Sequence, residues 1–247
     1  MKIAVINFSG NVGKTTVARH MLLPRIEGAE LISVESQNAG EGEGQAMRGR
    51  QFGALQEYLQ TIDNAVVDIG ASNVEELLDL MQKYRGSQED FDVFVVPSVP
   101  ALKQQQDTIA TLVELARLGV PPSKVRLVFN MVNSAADVPA HFDLVRAFLK
   151  AKPIATENAA CHLSANEVYG RIRSSGADLA TLARDETDYK ALIVKASGTA
   201  EKLTLAQKLA TRRLALGVVP ELDACFAALG LGENTANNVV PLARQAQ

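Results

Sequence analysis

Gly10-Asn11-Val12-Gly13-Lys14-Thr15-Thr16 is the stretch whose residue types and spacing could do chemistry. It follows the apolar run Lys2-Ile3-Ala4-Val5-Ile6-Asn7-Phe8 and precedes the helix-compatible Val17-Ala18-Arg19-His20-Met21-Leu22-Leu23. Strand, glycine turn and helix start in that order make a cradle for a polyanion. Backbone N–H groups and a helix N-terminus face it, Lys14 adds a point charge, and the Thr15 hydroxyl suits Mg²⁺. A nucleoside triphosphate is the natural occupant. In the pattern G-x-x-x-x-G-K-[ST], Phe8 stands where the first glycine belongs, so the core that remains is Gly10 with Gly13-Lys14-Thr15.

A second group of candidates is Ala65-Val66-Val67-Asp68-Ile69-Gly70. An acidic residue at the carboxyl end of a neighbouring strand can hold the Mg²⁺ shell, and Gly70 lets backbone approach a γ-phosphate. A third is Glu35, at the end of Ile32-Ser33-Val34, which could orient an attacking water; a solvated loop glutamate fits the same residues equally. For the base, guanine readers carry Asn-Lys-x-Asp, whereas this chain has Asn130-Met131-Val132-Asn133. An amide presents one acceptor where a carboxylate presents two, so the guanine fork is lost. Asn130 or Asn133 could pair with adenine, which favours ATP.

The elements that must position these residues follow from periodicity. Strands are expected at 2–8, 31–35, 64–69, 91–97, 124–132 and 152–156, several of them continuously apolar, as in a sheet buried on both faces. Helices are expected between them at 14–23, 45–61, 73–84, 102–118 and 139–150, the third capped by Ser72 with Glu75. This alternation predicts an α/β fold, a doubly wound, mostly parallel sheet with helices on both faces. Ser164-x-x-Glu167 reads as one more helix start. Residues 1–175 are assigned to the nucleotide-binding core, 176–230 to a C-terminal helical extension packed on it, and 231–247 to a frayed tail.

Bulk properties limit the functions available. The chain has 247 residues, 47% hydrophobic and 21% charged, enough for one large α/β domain. A net charge of −3 gives no global basic field, so any nucleic-acid contact must be local. Cys161 and Cys225 fit buried thiols better than a disulfide framework, and Cys161 beside His162 is a poor metal spacing. No signal sequence and no apolar run of roughly 18 residues is evident, so a cytoplasmic protein is expected.

With those motifs in place, the sequence resembles the deviant-Walker ATPases of the ParA/MinD family, which position plasmids, chromosomes and division proteins. The resemblance spans roughly 1–175. It rests on the loop at 10–16, Asp68-Ile69-Gly70, Val95-Val96-Pro97-Ser98-Val99-Pro100 and Leu127-Val128-Phe129-Asn130. Its N-terminal wording is most similar to the StbB-type plasmid stability branch. The resemblance implies a nucleotide-gated homodimer binding ATP or ADP with Mg²⁺, and a small plasmid-encoded DNA-binding partner. It implies that Ser9, Gly10, Asn11, Val12, Gly13, Lys14, Thr15 and Thr16 hold the phosphates, with Thr15 and Asp68 on the metal and Lys14, Glu35 and Asp68 in the catalytic roles. Two departures bear on activity. Ser9 stands where the family has a lysine that reaches the partner's nucleotide, with Asn11 at its second glycine; Glu35 is the lone carboxylate of its Asp-x-Asp, Ser33 standing at the first. Slow hydrolysis is expected, with Arg48 or Arg50 as replacement cations or simply solvated helix residues. Family members often bind DNA through a basic C-terminal surface, for which Lys202, Lys208, Arg212 and Arg213 are the candidates here, Glu201 and nearby acids offsetting them. Membrane binding is not expected from the C-terminal sequence. Readings from other classes are a P-loop small-molecule kinase or ligase and a non-hydrolysing scaffold.

Overall fold

The computed structural model describes residues 1–34, 49–175 and 178–231. Six parallel strands form one sheet in the order β2-β3-β1-β4-β5-β6. They are β1 (Lys2–Val5), β2 (Glu30–Val34), β3 (Ala65–Ile69), β4 (Val93–Ser98), β5 (Val125–Asn130) and β6 (His162–Leu163). β3, β4 and most of β5 are buried on both faces, which is why their sequences run apolar without alternation. Successive residues still part to opposite sides. Ala4 and Ile6 join a core with Val67, Phe94, Val96 and Phe129, while Ile3 and Val5 join a second core with Val66, Val95 and Val128.

Helices cover each core. α2 (Gly49–Leu59), α3 (Val74–Lys83), α4 (Leu102–Arg117), α5 (Val138–His141) and α6 (Asp143–Ala151) contribute to the first. On the second face lies α1 (Lys14–Thr16), which continues as a wide π-helical stretch over Val17–Leu22, shown by Leu23 N–H donating to the carbonyl of Ala18. α7 (Val168–Ser175), α8 (Leu179–Arg184), α9 (Tyr189–Lys195) and α10 (Thr199–Ala228) follow. α10 buries Ala215, Val218, Leu222, Cys225 and Phe226 in the second core. The doubly wound parallel architecture is therefore the one expected. β1 is the topological switch point: the chain leaves it to one side for β2 and β3, then crosses over it to β4.

Two local expectations fail and a third holds in part. The sixth strand is not 152–156: Thr156 touches β5 at a single bridge with Arg126, the chain turns at Asn158, and pairing resumes at His162–Leu163. Pro153 lacks a ladder donor and Glu157-Asn158 interrupts the apolar run, so that segment cannot hold register. Ser72 is not a cap. The helix enters through a 3₁₀ turn, Ala71–Asn73, whose Asn73 N–H bonds the Gly70 carbonyl, and no side chain caps α3. A helix does start at Ser164-x-x-Glu167, as α7 from Val168, but Ser164 does not cap it; Asn166 accepts from Val168 N–H at 2.9 Å. By contrast, Asp178 and Asp188 cap α8 and α9, accepting from Thr181 and Ala191 N–H.

Candidate functional site

The loop after β1 sits at the switch point, where ligands of open α/β sheets bind. Its shape depends on two left-handed residues, Asn11 at φ 57° and Gly13 at φ 88°. Gly13 is required twice over. A Cβ there would lie 2.2 Å from the Asn130 amide nitrogen, and the positive φ disfavours any side chain. Gly13 is the N-cap of α1, so Lys14, Thr15 and Thr16 begin the helix.

Lys14 is 7% exposed and folded back on the loop, donating to the carbonyls of Ser9 at 2.6 Å and Asn7 at 3.0 Å. Burial lowers its pKa to about 8, and the Asp68 carboxylate pulls in the opposite direction. Asp68 is buried at the carboxyl end of β3, in register with Val5, and on the face shared with Val66. A lysine, a helix start and a carboxylate therefore converge, as the sequence spacing suggests. Thr15 is exposed at the top of this group and Thr16 is half-buried beside it.

The loop is braced by residues that motif reading passes over. Asn7 is fully buried; its amide donates to the Pro97 carbonyl and the Thr108 hydroxyl, and its oxygen accepts from Ser9 N–H. Thr111 accepts from Phe8 N–H. Thr108 and Thr111, three apart, put a polar stripe on the core side of α4, the signal from which this role could have been read. Ser9 is buried close to the Asp107 carboxylate, which Lys103 holds at 2.7 Å.

The other candidates fall as follows. Asn130 is 6% exposed, with its amide donating to the Val12 carbonyl at 2.9 Å and its oxygen accepting from Met131 N–H, so it braces the loop. Asn133 is exposed. Gly70 has φ −57°, open to any residue, and its N–H donates to the Val34 carbonyl in the strand next door. Glu35 and Arg48 lie outside the described residues.

A cleft of about 540 Å³ runs from the loop along the carboxyl end of β5. Asn11, Gly13 and Thr16 form one side, and Ser164, Ala165, Asn166 and Glu167 the other. This volume lies in the range that encloses a small organic ligand. The second wall follows a two-residue strand that periodicity could not reveal. Cys161 and Cys225 are buried free thiols, and burial pushes Cys161 up to about 11, so both are inert core residues. No grouping of metal-ligating residues built from His, Cys, Asp and Glu alone occurs among the described residues. None of the helices among them is long and apolar enough to cross a membrane.

Neither a family model nor any curated protein sequence matches the chain. Solved structures do resemble it. The MinD cell division protein of Aquifex aeolicus is 12% identical with a TM-score of 0.50, covering 87% of this chain and 97% of that one. The MinC:MinD cell division protein complex from the same organism gives 12% identity and a TM-score of 0.52, covering 87% and 95%. At such identities the likeness is one of fold, and it is the ParA/MinD-type P-loop NTPase fold.

Proposed function

We propose that this chain is an ATP-binding switch of the ParA/MinD kind, acting in plasmid stability, partition or positioning with slow hydrolysis. The observation that carries the reading is Lys14, buried beside Asp68 in a left-handed loop at the switch point, a loop whose Asn11, Gly13 and Thr16 line a nucleoside-sized cleft. The 10–14 backbone and Lys14 hold the β- and γ-phosphates, and the cleft takes the sugar and base. Lys14 must leave the carbonyls of Asn7 and Ser9 to reach a phosphate, an exchange that a polyanion favours because it offers full charge in place of two dipoles.

The donor set fits Mg²⁺: a threonine hydroxyl at the helix start and a buried carboxylate on the adjacent strand, both hard oxygens. Thr15 and Asp68 would hold it, and the ion would neutralise phosphate charge. Slow turnover follows from position 9. A serine hydroxyl is uncharged, so position 9 supplies no cation.

A homodimer and a small DNA-binding partner belong to the same proposal. Solution of the Aquifex protein as a MinC:MinD complex supports a protein partner. On α10, Lys202, Lys208 and Arg213 are exposed and available to nucleic acid, while Arg212 turns inward and donates to the Thr187 carbonyl at 3.0 Å. Lys202 and Arg213 lie about three turns apart on one side of the helix. Lys208 points elsewhere, so DNA contact here would be a pair of cations rather than one stripe. Sedimentation of wild type and Lys14→Ala with ATP, ADP or neither, each with and without DNA, tests the switch. ATP should change assembly or DNA binding for the wild type alone. No nucleotide-dependent change in either would sink the proposal.

A further inference from the structure

The two walls of the cleft come from distant parts of the chain, and α10 lies behind both. On the loop side, the Asp223 carboxylate accepts from Arg25 Nε at 2.8 Å and lies 2.6 Å from its Nη2. Arg25 also donates to the carbonyls of His20 and Met21, the end of the π-helical stretch that follows α1. On the far side, Glu221 accepts from both Ser164 N–H and the Ser164 hydroxyl, the latter at 2.7 Å. Side chains two residues apart on a helix leave in nearly opposite directions, about 200° around the axis. From one turn of α10, Glu221 thus reaches the far wall, while Asp223 reaches the helical stretch that runs on from the loop wall. Leu222 between them is fully buried in the core shared with Val17, Ala18 and Leu163.

We infer that α10 is a strut that sets the width of the nucleotide cleft, with Glu221 as the positioning residue for its nucleoside wall. The inference rests on the reading of that cleft as a nucleotide site. A carboxylate that receives a backbone N–H and the hydroxyl of the same residue fixes where the segment lies and how it is turned. Asn166, two residues on, is then committed to Val168 N–H, so the wall passes from Glu221 to α7 with little slack. The hydrogen bonds of Glu221 go to Ser164 and not to the phosphate loop. Its influence is therefore confined to the sugar and base, and the phosphate end is left unchanged.

That division supplies the test. Calorimetric titration with Mg·ATP and, separately, with Mg·tripolyphosphate compares a ligand that needs the wall with one that does not. Glu221→Ala should weaken ATP about tenfold, the loss of two hydrogen bonds that order a segment, and leave tripolyphosphate unchanged. Glu221→Gln keeps an acceptor for the N–H and gains a donor for the hydroxyl, so it should bind ATP within about twofold of wild type. Equal ATP affinity for wild type and Glu221→Ala overturns the inference. So does an equal loss of both ligands, which would mark a general structural role, and so does failure of the glutamine to rescue. Should Glu221→Ala not fold, Ser164→Ala removes the hydroxyl bond alone: about threefold weaker ATP with unchanged tripolyphosphate supports the strut, and unchanged ATP overturns it. A wild type that binds no ATP instead overturns the nucleotide reading itself.

Discussion

Lys14 illustrates how a single residue can carry both the cost and the use of a site. Its ammonium is buried against two carbonyls, with a pKa near 8 where free lysine has 10.5. The sign of the resulting pH dependence is fixed. Between about 8 and 10.5 the unfolded chain holds a proton that the folded one has lost, so this residue adds stability as pH rises through that window. Phosphate binding works the other way, because a polyanion favours the charged amine. Nucleotide binding at pH 8 should therefore take up a proton, seen as a binding enthalpy that varies with buffer ionisation heat. Affinity should be flat well below pH 8 and fall above it by up to about tenfold per unit. A pH-independent affinity between 7 and 9.5 would show that Lys14 does not meet the phosphates. Gly13 and Lys14 were legible in the sequence because a left-handed turn and a buried cation each need a particular residue type. The bracing role of Asn130 was not: a polar residue at a strand end reads the same whether it faces a base or a neighbouring loop.

Among the elements, the π-helical stretch and α10 depend on one another through Arg25 and Asp223. The arginine is 2% exposed, and its charge is balanced by one carboxylate and by carbonyls at the end of a widened helix. Asp223→Ala should cost about 3–5 kcal/mol in urea unfolding, because it strands a buried cation. The double variant Arg25→Met/Asp223→Leu should be clearly more stable than Asp223→Ala alone, since no charge is left unpaired. Equal losses would mean that packing, rather than charge, holds the two elements together. The five longer strands and the helices between them were readable from apolar runs and their alternation. β6 was not, because two residues carry no period, and it is placed by pairing with Phe129 and Asn130 rather than by its own composition. The wall that β6 introduces was hidden with it. The caps at Ser72 and Ser164 failed for a similar reason: each serine matches a local pattern, but Asn73 bonds the Val34 carbonyl and Ser164 bonds Glu221, tertiary contacts that the pattern cannot contain.

Taken whole, the molecule is a sheet with its chemistry at one switch point and a long C-terminal helix tied to it at one end. α10 buries one face in the core from Ala215 onward and is largely exposed before that, where α8 and α9 are its companions. Pro220 interrupts the ladder early in the core-facing part, since it has no N–H to give the Leu216 carbonyl. The consequence is temporal. Amide protons of one continuous helix should exchange with deuterated solvent on two clocks. Those in 200–213 should be lost through local opening, and those in 222–228 only when the core itself opens. Mass spectrometry of peptides from the two parts should show uptake orders of magnitude apart, and a single common rate would refute the division. Such a helix can fray at its far end and re-form without loosening its grip on the sheet.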